Sequence, residues 1–141
     1  MPTPRPLQAT PVLLGALDTS IQCGFPSPAQ AQQHKRLDLN DLLIHQPEAS
    51  YVVRVRGPSM RDAGIEEGDH VVVDRSLSPK HGRIVLAVVD GDYTIKRLYQ
   101  QAGEIKLQAA NPQFADLVFK EGQELVVWGV VTWVLKNLLP V

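Results

Sequence analysis

Gly82–Tyr99 reads GRIVLAVVDGDYTIKRLY, and this stretch decides the architecture. Arg83–Val89 is short, almost entirely apolar and rich in β-branched residues, the pattern of a strand covered on both faces. Asp90-Gly91-Asp92 follows as a hairpin turn signal. The return run YTIKRLY then alternates, with Tyr93, Ile95 and Arg97 on one face and Thr94, Lys96 and Leu98 on the other.

The flanking sequence continues in the same idiom. YVVRVR places Val53 and Val55 on one face and Arg54 and Arg56 on the other, and DHVVVDR follows the turn glycines Gly64 and Gly68. EIKLQAA and ELVVWGVVTWVLK supply the remaining strands, the second expected to bend at Gly129. Ahead of Pro47, LDLNDLLIHQ holds one short helix with Leu39, Leu42 and Leu43 inward. Six or so strands with almost no helix predict a mainly β protein, a compact curled β domain over residues 37–141.

Residues 1–36 differ in kind. They hold Pro2, Pro4, Pro6, Pro11, Pro26 and Pro28, six of the eleven prolines, and the Gln/Ala-rich SPAQAQQHKR. Proline removes backbone donors and opposes regular elements, so this segment reads as an extended N-terminal arm with at most a short helix near Ala29–His34. Two packed helices of helix-turn-helix type do not fit it.

Fourteen basic residues against fifteen acidic ones give 141 residues a net charge of -1, which supplies no global field for nucleic acid and argues against direct sequence-specific DNA binding. Cys23 is the only cysteine, which excludes an internal disulfide and a Cys-rich zinc site and fits the reducing cytoplasm. The apolar stretch PVLLGALDTSI is too short to span a bilayer and is interrupted by Gly15 and Asp18. No secretory pattern surrounds it, so the expectation is a protein neither anchored nor exported.

Ser59 stands where a strand ends at Gly57-Pro58, a turn able to hold a hydroxyl at the surface. Taken locally, a serine capping a backbone N–H is the plainer reading. Lys96 changes that balance, because strand alternation puts it on the face of Leu98. A lysine pressed against a core loses hydration, which disfavours the ammonium. Moving it from ~10.4 to neutrality near pH 7–8 takes about 4 kcal/mol of differential solvation, within the range seen for buried lysines. The neutral amine then accepts the Ser59 proton, a Ser-Lys variant of serine catalysis. The bland alternative is a strand-edge lysine with its stem on apolar surface and its head in water. His34, His45, His70 and His81 read as solvated imidazoles, His70 lying on a mostly polar stripe with Val72 and Asp74.

CGFPSPA at Cys23–Ala29, GPSM at Gly57–Met60, GIEEGDHVVVD at Gly64–Asp74, GRIVLAVVDGDYTIKRL at Gly82–Leu98 and AANP at Ala109–Pro112 occur in an order and spacing that resembles the LexA/UmuD family of self-cleaving serine peptidases, peptidase family S24. The likeness runs from about Gln22 to Lys136 and is strongest to UmuD-like members. It implies Ser59 as nucleophile, Lys96 as general base, and Cys23-Gly24 in the chain's own arm as the scissile bond. It also implies a homodimer, no cofactor or metal, and no membrane association. In that family, cleavage is prompted by a recombinase–single-stranded DNA filament during the SOS response. The shortened product is the accessory subunit of an error-prone Y-family polymerase that bypasses lesions.

Pro58 departs from the pattern, since UmuD-like chains often carry a residue with a backbone N–H there. An oxyanion site relying on that amide lacks a donor here, a loss of roughly 3 kcal/mol. The backbone N–H groups of Ser59 and Met60 are the candidate donors. Two other readings share parts of the pattern: a LexA-like repressor, and an interaction module that keeps the fold with Ser59 idle. A signal peptidase uses similar chemistry but needs a membrane anchor.

Overall fold

The computed structural model describes residues 5–6, 13–17, 21, 23–24, 34–119 and 125–139. Within them the chain forms β1 (Arg5–Pro6), β2 (Leu13–Leu17), β3 (His34–Asp38), α1 (Leu39–Leu43), β4 (Ser50–Arg54), β5 (His70–Asp74), β6 (Ile84–Val89), β7 (Asp92–Gln101), β8 (Glu104–Gln108), β9 (Leu117–Val118) and β10 (Leu125–Leu135). Single 3₁₀ turns at Pro47–Ala49 and Arg61–Ala63 complete the set. The protein is mainly β, as the alternating runs predict.

Eight strands form one antiparallel sheet in the order β1-β4-β5-β10-β6-β7-β8-β9, while β2 and β3 pair separately. β6 is the strand that Arg83–Val89 predicts, with Val85, Leu86 and Ala87 all fully buried. Its alternation feeds two cores. Leu86 joins Val53, Val55, Val71, Val73 and Ile95, whereas Val85 and Ala87 join Leu98, Leu107 and Val130. A sheet buried on both faces in this way must curl over itself.

β10 carries the bend. Its register shifts between Val127 and Gly129 against β6, and again between Val131 and Trp133 against β5. A β-carbon at Gly129 would sit 2.6 Å from Val73 Cγ1, so the close approach of β10 to β5 requires glycine there. The hairpin between β6 and β7 turns through Asp90 and Gly91, at φ 49° and 87°, the left-handed pair of a tight two-residue turn.

Several expectations need correction. Leu42 is 46% exposed rather than inward. The helix is only five residues long, its chain turns extended at Ile44, and Ile44 is buried instead. Val72 and Asp74 are only 1% and 2% exposed, so the mostly polar stripe they form with His70 is covered except at His70, which is exposed as expected. The second face of the sheet is covered there, and the Asp74 carboxylate accepts bonds from the Ser76 N–H and hydroxyl. The strands number more than six, because β1, β2, β3 and β9 are short or fall where prolines and charges hide the pattern. β3 spans the change of character placed at residue 37. The short helix considered near Ala29–His34 lies outside the described residues apart from His34, which opens β3. No helix among the described residues is long and apolar enough to cross a membrane.

Candidate active site

Beyond β4 the chain is held before it turns. The Val55 N–H donates to the Asp69 carbonyl at 2.8 Å, and Gly68 returns a bond to the Val55 carbonyl at 3.0 Å. Gly57 then turns the backbone at φ 81°, a conformation that side chains disfavour. Met60, 2% exposed, drives the loop into the first core beside Val55 and Ile65. Ser59 is left half-buried between these anchors.

Asp69 is itself braced. Its buried carboxylate accepts from Lys136 Nζ at 2.6 Å and from the Glu66 N–H at 2.8 Å. Burial pushes this carboxyl up, but the Lys136 bond, the Glu66 N–H and the neighbouring positive charges outweigh it and hold it below the usual value.

β7 brings the lysine. Three strands, β5, β10 and β6, separate β4 from β7 in the sheet, so only the curl places their ends face to face. Trp128, at the β10 bulge, marks that closure by meeting Tyr51 and Tyr93 edge-on with ring centroids 4.9 and 6.4 Å away. Between the two sides lies a cleft of about 460 Å³ lined by Arg54, Val55, Ser59, Met60, Thr94 and Lys96 among others.

In this cleft Lys96 Nζ lies 2.9 Å from Ser59 Oγ, 2.8 Å from Thr94 Oγ1 and 3.2 Å from the Ile95 carbonyl oxygen. Burial lowers the Lys96 pKa from its ordinary value. Among the described residues, no carboxylate or imidazole lines the cleft to oppose that effect or to replace the amine as base. This geometry can accommodate a neutral amine: the Ser59 hydroxyl donates to Nζ while two N–H bonds point to Thr94 and Ile95. Met60 and Ser59 also contribute backbone N–H groups that, among the described residues, donate to no protein acceptor.

The sequence pairing of Ser59 with Lys96 thus corresponds to two side chains in hydrogen-bond contact. Cys23 and Gly24 are not brought to them; both are exposed and neither lines the cleft. His45, His70 and His81 are exposed and away from it as well. The imidazole of His34 lies outside the described residues. Among the described residues, no group of three or more His, Cys, Asp or Glu is arranged to hold a metal ion.

Sequence reasoning gave no role to Thr94 or Asn111. Thr94 was legible as the i−2 neighbour of Lys96 on the same strand face. Asn111 carries no local signal of its contact, because its partner is 53 residues away: Asn111 Nδ2 donates to the Pro58 carbonyl at 2.9 Å.

Comparison with known proteins places the chain in a family. The family profile described as Peptidase S24-like matches residues 11–132. The chain belongs to the peptidase S24-like family. Within reach of it are MucA of Escherichia coli, 42% identical over 113 residues covering 79% of this chain and 77% of the relative, and SamA of Salmonella typhimurium, 40% identical over 131 residues covering 93% and 89%. The LexA repressor of Cupriavidus taiwanensis is 37% identical over 112 residues, 79% of this chain and 52% of the repressor. The S24-like match spans the Ser59 loop, the hairpin bearing Lys96 and the 109–112 segment alike.

Proposed function

We propose that this chain is a self-cleaving serine endopeptidase of UmuD type, acting in the cytoplasm in the SOS response. It cuts its own arm at Cys23-Gly24. The observation that carries the reading is the 2.9 Å contact between Ser59 Oγ and Lys96 Nζ in a cleft that, among the described residues, holds no histidine or carboxylate. Membership of the S24-like family and the likeness to MucA and SamA support it.

In this reading neutral Lys96 takes the Ser59 proton as Oγ attacks the Cys23 carbonyl carbon. The oxyanion so formed is held by the N–H groups of Ser59 and Met60. The Lys96 ammonium then protonates the Gly24 nitrogen as the C–N bond breaks, leaving Cys23 as an ester on Ser59. Water, deprotonated by Lys96, hydrolyses that ester and restores the hydroxyl. Thr94 and the Ile95 carbonyl keep the amine aimed throughout.

A substrate on the same chain reacts as though present at about 10⁵ M or more when well oriented, so little substrate-binding machinery is required. Restraint comes from Cys23 and Gly24 lying outside the cleft. A recombinase–single-stranded DNA filament that binds the docked state better raises its population and hence the rate. The processed homodimer then serves an error-prone Y-family polymerase as accessory subunit. A catalytically idle adaptor is the second reading, favoured by the exposure of Cys23 and Gly24 away from the cleft.

Incubating wild type and Ser59→Ala at alkaline pH and weighing the fragments separates the two. The peptidase yields 1–23 and 24–141 from the wild type alone. An adaptor stays intact at every pH.

A further inference from the structure

The structure assigns Asn111 a positioning role: its side chain orients the backbone amides of the nucleophile loop. This rests on the reading of Ser59 as nucleophile. A trans peptide is planar, with its carbonyl and the next residue's N–H pointing in opposite directions. Fixing the Pro58 carbonyl therefore fixes the direction of the Ser59 N–H, and fixing the Ser59 carbonyl fixes that of the Met60 N–H.

Both carbonyls are held by the same short segment, the Pro58 oxygen also accepting the Arg61 N–H at 3.2 Å within its own turn. Asn111 Nδ2 donates to the Pro58 oxygen at 2.9 Å, and the Ala110 N–H donates to the Ser59 oxygen at 2.8 Å. The Asp62 N–H closes the clamp on the Ala110 oxygen at 2.8 Å. The two amides consequently point away from the 110–111 segment, and among the described residues neither donates to a protein acceptor. That is the state required of donors kept ready for a developing oxyanion.

Asn111 is built for this. It is only 4% exposed, and its Oδ1 accepts the Gln113 N–H at 3.0 Å, which sets the amide so that Nδ2 faces Pro58. The clamp also accounts for the tolerance of proline at 58: the loop uses that residue's carbonyl as a handle and asks nothing of its nitrogen.

Asn111→Asp isolates the donor, since a carboxylate still accepts from Gln113 but gives nothing to Pro58. The expected result in the full-length chain is a self-cleavage rate about 10- to 100-fold lower at every alkaline pH. That is less than the roughly 10²–10³-fold loss on deleting an oxyanion donor outright. The pH profile keeps a single inflection, moved upward if at all by the added carboxylate, and in the uncharged Asn111→Ser the inflection stays in place because no charge is added near Lys96. At neutral pH, before cleavage, the Ser59 and Met60 amide resonances move while those of His70–Asp74 do not. Asn111→Ser, too short to reach Pro58, gives the same pattern and covers the case in which the aspartate variant misfolds. Wild-type cleavage by both variants, unmoved Ser59 and Met60 amides, or resonance changes spread through β5 would each overturn the assignment. A wild type that never cleaves overturns the proposed function instead, and the amide resonances still decide the role of Asn111.

Discussion

Ser59 and Lys96, 37 positions apart, meet at 2.9 Å because a curled sheet returns β7 to the loop that follows β4. The Ser59 loop is pinned by Met60 in the core and by Ala110 and Asn111 at its carbonyls, while the amine is held by its own strand neighbours Thr94 and Ile95. Neither partner depends on the other for its place.

Lys96→Met is expected to stabilise the fold while abolishing cleavage. The folded-state pKa of Lys96 lies below its ordinary value because burial disfavours the ammonium. Below the folded value both states carry the proton and the native state bears the full desolvation cost. As pH rises from there towards the ordinary value of 10.5, the native amine is already neutral while the unfolded one is still charged, so wild-type stability climbs and then levels. Methionine has no such climb. Urea denaturation should show the variant more stable near neutral pH, by on the order of 1 kcal/mol once water's access to the half-buried amine is allowed for, with the difference shrinking towards pH 10. A constant difference across that range contradicts the assignment of a depressed lysine.

Thr94→Val tests the aiming of the amine. Valine keeps the shape but removes the oxygen 2.8 Å from Nζ. An acceptor there favours the ammonium over the amine, so its loss moves the pH–rate inflection lower still. The maximal rate falls about tenfold, the scale of one lost hydrogen bond of about 1.4 kcal/mol. Self-cleavage followed by gel densitometry across pH 7–11 measures both effects. An inflection that moves upward goes against this account.

Ala102→Asn concerns the scaffold alone. The β7–β8 turn passes through Ala102 and Gly103 at φ 52° and 76°, and alanine is disfavoured in that left-handed conformation. Asn-Gly is the favoured pair for such a turn. The replacement should raise stability by about 0.5–1 kcal/mol with cleavage unchanged, read as a higher melting temperature in calorimetry. An unchanged or lower melting temperature refutes it.

Legibility in the sequence followed the range of the interactions involved. β6 and β7 were readable because an apolar run, Asp90-Gly91 and an alternating return are all local signals. Gly129 was readable as a bend, although its cause, the Val73 side chain on β5, is not. Leu42 misled because helix periodicity assumes a helix long enough to have a buried stripe, and α1 ends after five residues. Val72 and Asp74 misled because a single strand does not reveal how many faces of its sheet are covered. At the site, Ser59 was singled out by the Gly57-Pro58 turn, Lys96 by strand alternation, and both by the resemblance to S24 peptidases; the structure brings the two into contact. Thr94 followed from the same alternation but was not drawn out. Asn111 was beyond reach, since its meaning lies in a bond to a carbonyl 53 residues earlier.

The pH dependence of the self-cleavage rate, in wild type and in Lys96→Ala, bears most directly on the claim that a neutral lysine deprotonates Ser59. The wild-type rate should rise with pH to an inflection above the imidazole range of about 6.5 and below the ordinary lysine value of 10.5, and Lys96→Ala should form no 24–141 product at any pH. A wild-type inflection near 6.5 that persists in Lys96→Ala would contradict the account.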